Sequence, residues 1–465
     1  MKRICVTVVF GPMERPTQTS GNGRRSPQTR LGEYGESRSS FPEAGRPGGA
    51  ARAFGAAFRS LRSYNYRLFF FGQMISVTGT WVQSIAQAWL VLDLTRSPLA
   101  LGTVTMLQFL PVSLLVLFGG VLADKMPKRR VLVLTQTAAM IQAFVLAFLV
   151  WSDLIALWQL YLLAAMLGLT NALDNPTRQA FVVEMVEPDD VVNAVALNSS
   201  LFNAARLVGP ALGGVMIAVA GVATAFFING VSFIAVIIGL LLMKSRLLRP
   251  ALHGEGRVLE QLAEGLRYAL RTPTVLFILI LMAAVGTFGY NFTVVLPLLA
   301  KNVLHVGSIG FGTMSSATGV GSLLAALTLA TMGKASQRTL IIGAAAFAIL
   351  LGAVASSNSY GLTLVLLVAL GVASIAFTTT ANSTLQLTAP GHLRGRVMSL
   401  YMLLFVGTTP IGSQLTGVMA EQIGVQLTVG IEAALCGVGI AAALAYLAAQ
   451  RAAGPPDTVA LGRDS

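Results

Sequence analysis

The chain has 465 residues, 55% of them hydrophobic and 11% charged, with a formal net charge of +13. A soluble domain carries roughly 25% charged residues, so a large soluble protein is excluded, and no aromatic-basic motif accompanies the positive charge to suggest a nucleic-acid partner. Cys5 and Cys436 are far apart and His253, His305 and His392 fall in different loops, so no disulfide framework, metal site or cofactor is expected.

Residues 1–60 are rich in Gly, Ser, Pro and Arg, cannot bury enough apolar surface to fold, and are expected to form a disordered cytoplasmic tail. The opening ten residues faintly resemble a signal peptide, but their apolar part is too short and Pro12 follows closely, so no cleavage is expected. Twelve apolar stretches follow, at 68–92, 99–123, 131–151, 155–175, 194–219, 222–243, 274–300, 308–332, 339–356, 361–385, 397–420 and 425–449. A spanning helix needs ~20 mostly apolar residues, so the chain is expected to be an all-α membrane protein of twelve transmembrane helices. Residues 61–243 form one six-helix half and 273–450 the other. Between them lies a central loop, 244–272, and a short tail, 451–465, closes the chain. In the loop, residues 258–270 carry apolar side chains at helical spacing, as an amphipathic helix on the membrane face would. The halves echo each other. Glu187-Pro188-Asp189-Asp190 leads into a span with Gly209-Pro210, and Ala389-Pro390-Gly391-His392 leads into one with Thr409-Pro410. Two pseudo-symmetric halves describe a secondary transporter with its substrate site between them.

Charge sets the orientation. One set of alternate loops holds fifteen Lys or Arg, among them Lys125, Lys244, Arg249, Arg271, Lys334 and Arg338; the other holds only Arg96 and Lys301. The basic set belongs in the cytoplasm, and both termini with it.

Three motifs carry function. Gly119-Gly120-Val121-Leu122-Ala123-Asp124-Lys125-Met126-Pro127-Lys128-Arg129-Arg130 joins spans 2 and 3. It resembles the signature loop of the major facilitator superfamily, G-x-x-x-D-R/K-x-G-R/K-R/K, with Pro127 where that family usually has Gly. The resemblance implies close helix approach at Gly120 and a latch between Asp124 and the start of helix 11, near Arg394-Gly395-Arg396. The alternative is that the basic cluster, Lys128, Arg129 and Arg130 included, serves topology alone.

At the end of span 4, Asp174-Asn175-Pro176-Thr177-Arg178-Gln179-Ala180-Phe181 sets Asp174 and Arg178 four apart. They pair if the helix continues, unless Pro176 breaks the turn. The pattern resembles the branch that contains the bacterial enterobactin exporter and macrolide-efflux proteins, which implies Lys128 as a partner for Asp174, in a gating or a merely structural role.

In span 5, Gly209-Pro210-Ala211-Leu212-Gly213-Gly214 resembles the G-P-x-x-G-G element of exporters in the superfamily, with Ala196 and Ala205 where the full pattern has glycines. Arg206, near the middle of that span, should face the bundle interior, to bind an anionic substrate or to fix helices 4 and 5. Glu432 in span 12 is the other embedded charge, either a proton carrier or merely hydrated near the outer surface. No Walker loop, catalytic carboxylate pair, nucleophile elbow or zinc motif is present, so neither ATP drive nor an enzyme is expected. The resemblance implies a monomeric inner (plasma) membrane transporter that exports a small amphipathic molecule, such as a drug, siderophore or lipophilic metabolite, against proton entry. An importer or facilitator of the same fold, or a non-transporting sensor or lipid-handling protein, are the alternatives.

Overall fold

A computed structural model describes residues 58–115, 126–249, 258–332 and 336–452. Its helices are α1 (Tyr64–Thr95), α2 (Pro98–Leu115), α3 (Lys128–Trp151), α4 (Leu157–Glu184), α5 and α6 within Val191–Leu242, α7 (Pro273–Val303), α8 (Ser308–Met332), α9 (Gln337–Ser356), α10 (Tyr360–Thr388), α11 (Arg394–Ile423) and α12 (Val425–Ala452). Eight of these stretches, with α5 and α6 taken as one, are long and apolar enough to cross a bilayer by length and composition. Large apolar side chains such as Leu134, Phe148, Ile349 and Val365 are more than half exposed on the outside of the bundle. Water would not tolerate so much exposed apolar surface, whereas lipid does.

Two glycines turn the chain in matching places. Gly221 separates α5 from α6 with φ 83° and ψ 167°, and Gly424 separates α11 from α12 with φ 84° and ψ 159°. This region of backbone space is essentially reserved for glycine, and its use at the same point of each half bears out the pseudo-symmetry.

Within the first half α1 and α3 pack on the α5–α6 hairpin, and α2 packs on α4. Within the second, α8 and α9 pack on α10, and α7 and α9 on α12. The halves meet along α5 with α8 and α2 with α11. Two helices are interrupted. α7 runs as Pro273–Phe288, breaks at 289–291, resumes as Phe292–Leu298 and ends in a π-helical turn, Leu299–Val303. α11 runs as Arg394–Phe405 and Thr409–Ile423. Asn291 Nδ2 donates to Thr287 O at 2.9 Å, satisfying a carbonyl beside the α7 break.

The body extends slightly beyond the expected tail boundary. A turn at Arg59–Arg62 precedes α1, Ser60 N and Oγ donate to Asn193 Oδ1 at 3.0 and 2.6 Å, and Arg59 pairs with Asp190. Arg59 and Ser60 therefore belong to the folded body, while residues 1–57 and 453–465 lie outside the described residues. In the central loop, Val258–Arg271 is helical. It packs on protein as well as presenting a face outward: Tyr268 Oη donates to Thr388 O at 3.2 Å, and Glu264 pairs with Arg396.

Candidate functional site

The basic loops and the loops of sparse charge form opposite rims of the bundle, here the basic rim and the sparse rim. Gly120 and Asp124 of the expected latch lie outside the described residues, which resume at Met126. Its neighbours show what the basic cluster does. Lys128 is buried and donates to Glu184 Oε1 at 2.6 Å, which ties the start of α3 to the end of α4. Arg129 caps the end of α6, with Nε 2.6 Å from Leu240 O and Nη2 2.7 Å from Leu241 O. A cation there satisfies terminal carbonyls and complements the helix dipole. Arg130 is exposed. On the facing helix, Arg394 and Gly395 are exposed, and Arg396 is held by Glu264 of the central helix.

Asp174 does not pair with Lys128, whose partner is Glu184. α4 continues through Pro176 to Glu184, so Asp174 and Arg178 share one face and form an ion pair. Thr135 Oγ1 and Gln136 Nε2 of α3 donate to Asp174 Oδ1 at 2.7 and 2.8 Å. Arg178 Nη1 donates to Gln73 Oε1 of α1 at 3.1 Å, and its guanidinium lies over the Phe202 ring of α5. The resemblance assigned the wrong cation because Glu184, at the end of the same helix as Asp174, reaches Lys128 instead. The network binds four helices of the first half near the basic rim.

The exporter-like motif divides between two faces of α5. A Cβ on Gly209 would fall 2.5 Å from Trp81 Cβ, and one on Gly213 would fall 3.2 Å from Ile85 Cβ, both on α1. A Cβ on Gly214 would fall 2.4 Å from Ser308 O of α8, and one on Gly312 of α8 would fall 2.4 Å from Pro210 O. Positions 209 and 213 are one turn apart, as are 210 and 214. One pair lets α5 close on its own half and the other lets it close on the second half. Ser308 Oγ donates to Gly214 O at 3.0 Å across that contact.

Arg206 is half-buried one turn before Pro210. Among the described residues it has no ion pair or hydrogen bond, and the hydroxyl of Tyr290 on α7 lies within its electrostatic range. Fixing α4 to α5 falls to Arg178 instead, and Arg206 remains a free cation between the halves. Glu432 is 3% exposed, so it is not hydrated at an outer surface. It accepts a hydrogen bond at 3.2 Å from Asn291 Nδ2 of α7, and Thr416 Oγ1 of α11 shares its one hydrogen between Glu432 Oε1 and Gly412 O, the latter at 2.8 Å.

Contacts between the halves gather at the sparse rim. α2 and α11 cross where a Cβ on Gly102 would meet Ser413 O at 2.7 Å and Gly417 Cα at 2.9 Å. Glu421 Oε2, at the end of α11, accepts from Ser97 Oγ at 2.7 Å and from Leu99 N at 3.1 Å, at the start of α2. Thr103 Oγ1 donates to Gln414 Oε1 at 3.2 Å. Lys301 of α7 pairs with Asp93 of α1 and lies over the Trp89 ring, which stacks on Phe311. Sequence reasoning did not single out Glu421, Asp93 or Asn291. The one available signal was an acid or amide interrupting an otherwise apolar span, and it names no partner.

The family described as transmembrane secretion effector matches residues 55–459. The staphyloferrin A transporter of Staphylococcus aureus is 26% identical over 369 residues, 78% of this chain and 92% of that protein. The multidrug efflux pump Tap of Mycolicibacterium fortuitum is 25% identical over 378 residues, 78% of this chain and 90% of the pump. A POT family transporter solved in complex with 5-aminolevulinic acid superposes with a TM-score of 0.67 at 13% identity, over 84% of this chain and 96% of that one. A bacterial homologue of the human lysosomal transporter Spinster, inward-facing and unoccupied, gives 0.62 at 14% identity, over 84% and 95%. At such identities the solved structures speak for the fold alone.

Proposed function

We propose, since the chain belongs to the transmembrane secretion effector family of major facilitator transporters, that it exports a small amphipathic compound by alternating access in exchange for protons. The relatives named for a siderophore and for multidrug efflux support this substrate class. The observation that carries the mechanism is the two-faced α5. Gly209 and Gly213 seat it on its own half, while Pro210 and Gly214 form a close, glycine-lined contact with α8 that runs from the sparse rim to Leu207, beside Gly319. Small residues let the two backbones approach closely and slide without interlocking side chains, which suits a contact that forms and parts during alternating access.

The charge bias puts the basic rim, both termini and the central loop in the cytoplasm. The conformation described is then closed toward the outside. Opening the other way requires the sparse-rim contacts to part and the basic rim to close through Asp124 and the start of α11. Between the halves Arg206 presents a fixed positive charge beside Tyr290, suited to a substrate that carries an anionic or electron-rich group. The protein acts as a monomer, since both halves of the pathway come from one chain.

Two measurements test the reading. Reporter fusions at Gly254 and at the C-terminus are active only as cytoplasmic reporters; a periplasmic signal overturns the orientation. Inside-out vesicles energised with a proton gradient accumulate ethidium or staphyloferrin A, and a deletion strain retains a metabolite that its parent secretes. Uptake into right-side-out vesicles instead identifies an importer. No proton-linked movement of any compound identifies a sensor or lipid-handling protein.

A further inference from the structure

Glu432 stands apart from the other acids of the membrane body. Asp174 and Glu184 each hold a cation. Glu432 is bonded only to the neutral side chains Asn291 and Thr416, and among the described residues it has no ion pair. A buried carboxylate that kept its charge without a counter-ion would be costly. The position suits a group that gains and loses a proton.

A second observation points the same way. Asn291 Oδ1 is buried and accepts no hydrogen bond, although Nδ2 of the same amide donates to Glu432 Oε1 at 3.2 Å. While Glu432 is ionised, both of its oxygens are acceptors, and the amide oxygen beside them has nothing to take. A protonated Glu432 supplies the missing O–H. Acid and primary amide then form a two-bond ring, with N–H to the acyl oxygen and O–H to the amide oxygen. The geometry of this conformation is complete only with that hydrogen in place.

Asn291 lies in the break of α7, and its neighbour there is Tyr290. Tyr290 Oη bonds to Ser374 Oγ at 2.6 Å, and its ring stacks on Phe347 with centroids 5.2 Å apart. Tyr290 is also the residue of the second half that lies within electrostatic range of Arg206. A proton at Glu432 therefore acts on the same three-residue interruption that positions Tyr290 against Ser374, Phe347 and Phe405. Interrupted helices at mid-membrane are where transporters place substrate and ion sites.

The other titratable groups on the surrounding elements are accounted for. On α12 itself, Cys436 is buried one turn further along. On α11, Glu421 is bonded to the start of α2, Tyr401 stacks on Phe405, Arg396 pairs with Glu264 and Arg394 is exposed at the basic rim. On α7, Tyr290 is bonded to α10 and Lys301 is paired with Asp93. On α9, which packs Gly352 against Ala433, Arg338 sits at the far, basic rim.

We propose that Glu432 is the coupling-proton site, and that its protonation stabilises the conformation closed at the sparse rim through Asn291 and the break in α7. This rests on the reading of the chain as a proton-coupled exporter. Glu432 takes a proton from water on the sparse side while that rim is open and keeps it as the rim closes. It yields the proton to water on the basic side, which regenerates the carboxylate with no change of oxidation state.

The test needs no substrate. Val192 on α5 and Leu387 on α10 are 81% and 80% exposed, at the basic rim of opposite halves. The full chain carrying C5S, V192C and L387C is spin-labelled in lipid nanodiscs, and the distance distribution is followed by pulsed electron resonance from about pH 8 to about pH 5. The population with a wide basic rim is expected to grow at least about fivefold on acidification, the lower range of an allosteric coupling. In Glu432→Gln, whose amide supplies the same hydrogen to Asn291 at every pH, the wide population dominates and its pH dependence disappears. Thr416→Val, which removes a donor to the ionised form, moves the midpoint upward by about one pH unit. It keeps the test decisive if the glutamine variant fails to fold. A parent with no pH response, a Glu432→Gln chain that responds as the parent does, or an unmoved midpoint in Thr416→Val overturns the proposal. Proton-linked switching without movement of any compound in liposomes would leave this site standing and refute the exporter reading instead.

Discussion

Glu421→Gln removes one negative charge from the sparse rim and keeps the shape of the side chain. The carboxylate accepts from Ser97 Oγ at 2.7 Å and from Leu99 N at 3.1 Å, at the first turn of α2. An acid at an exposed helix N-terminus is worth ~0.3–1 kcal/mol, and hydrogen bonds to a charged group are stronger than neutral ones. Glu421 is itself exposed, so the range for exposed sites applies, and with two hydrogen bonds to the carboxylate the loss should reach its upper end, about 1 kcal/mol. That changes the ratio of the two access states about fivefold, toward the one in which the sparse rim is open. The labels at positions 192 and 387 read this as a growth of the narrow basic-rim population. The effect is electrostatic and at the surface. Raising salt to about 1 M, where the screening length is ~3 Å, should therefore bring the parent toward the variant. An unchanged ratio, or one equally displaced at all salt concentrations, would refute the assignment of Glu421 to the closed rim. α2 and α11 run antiparallel, so this contact is the counterpart of the expected one between Asp124 and the start of α11.

Asp174→Asn leaves Arg178 buried without its ion-pair partner. The expected loss is roughly 3 kcal/mol, seen as a lower melting temperature in detergent, and Asp174→Asn with Arg178→Gln should recover part of it; a single variant as stable as the parent would contradict the network. Gly214→Ala sets a methyl where Ser308 O lies 2.4 Å away, so the protein should express but remain open at the sparse rim, with solvent-accessible cysteine probes there and little transport. Asp124→Asn should express at near the parental level, transport poorly, and expose the basic rim about 5- to 30-fold more, for a loss of about 1–2 kcal/mol. Unchanged transport and accessibility would reduce that loop to a topology signal.

The sequence by itself determined what depends on composition and period. A bilayer admits only helices and closed barrels, and stretches of ~20 apolar residues fit helices, so the all-helical membrane fold was legible from hydropathy. The Gly209–Gly214 motif was legible as a close-packing element, because only missing side chains allow such approach. Partnership was not. Lys128 went to Glu184 rather than Asp174 because α4 runs on past Pro176, and a proline's effect depends on whether neighbours support the helix around it. Arg206 has no ion pair among the described residues, and Glu432 proved buried against an amide because the break in α7 brings Asn291 to α12 from far away in the chain. Glu421 reaches α2 across the boundary between the halves. Which side chains meet, and at which rim the halves close, follows from the crossing of α2 with α11 and of α5 with α8. Those crossings are set by packing between distant segments, and no local pattern encodes them.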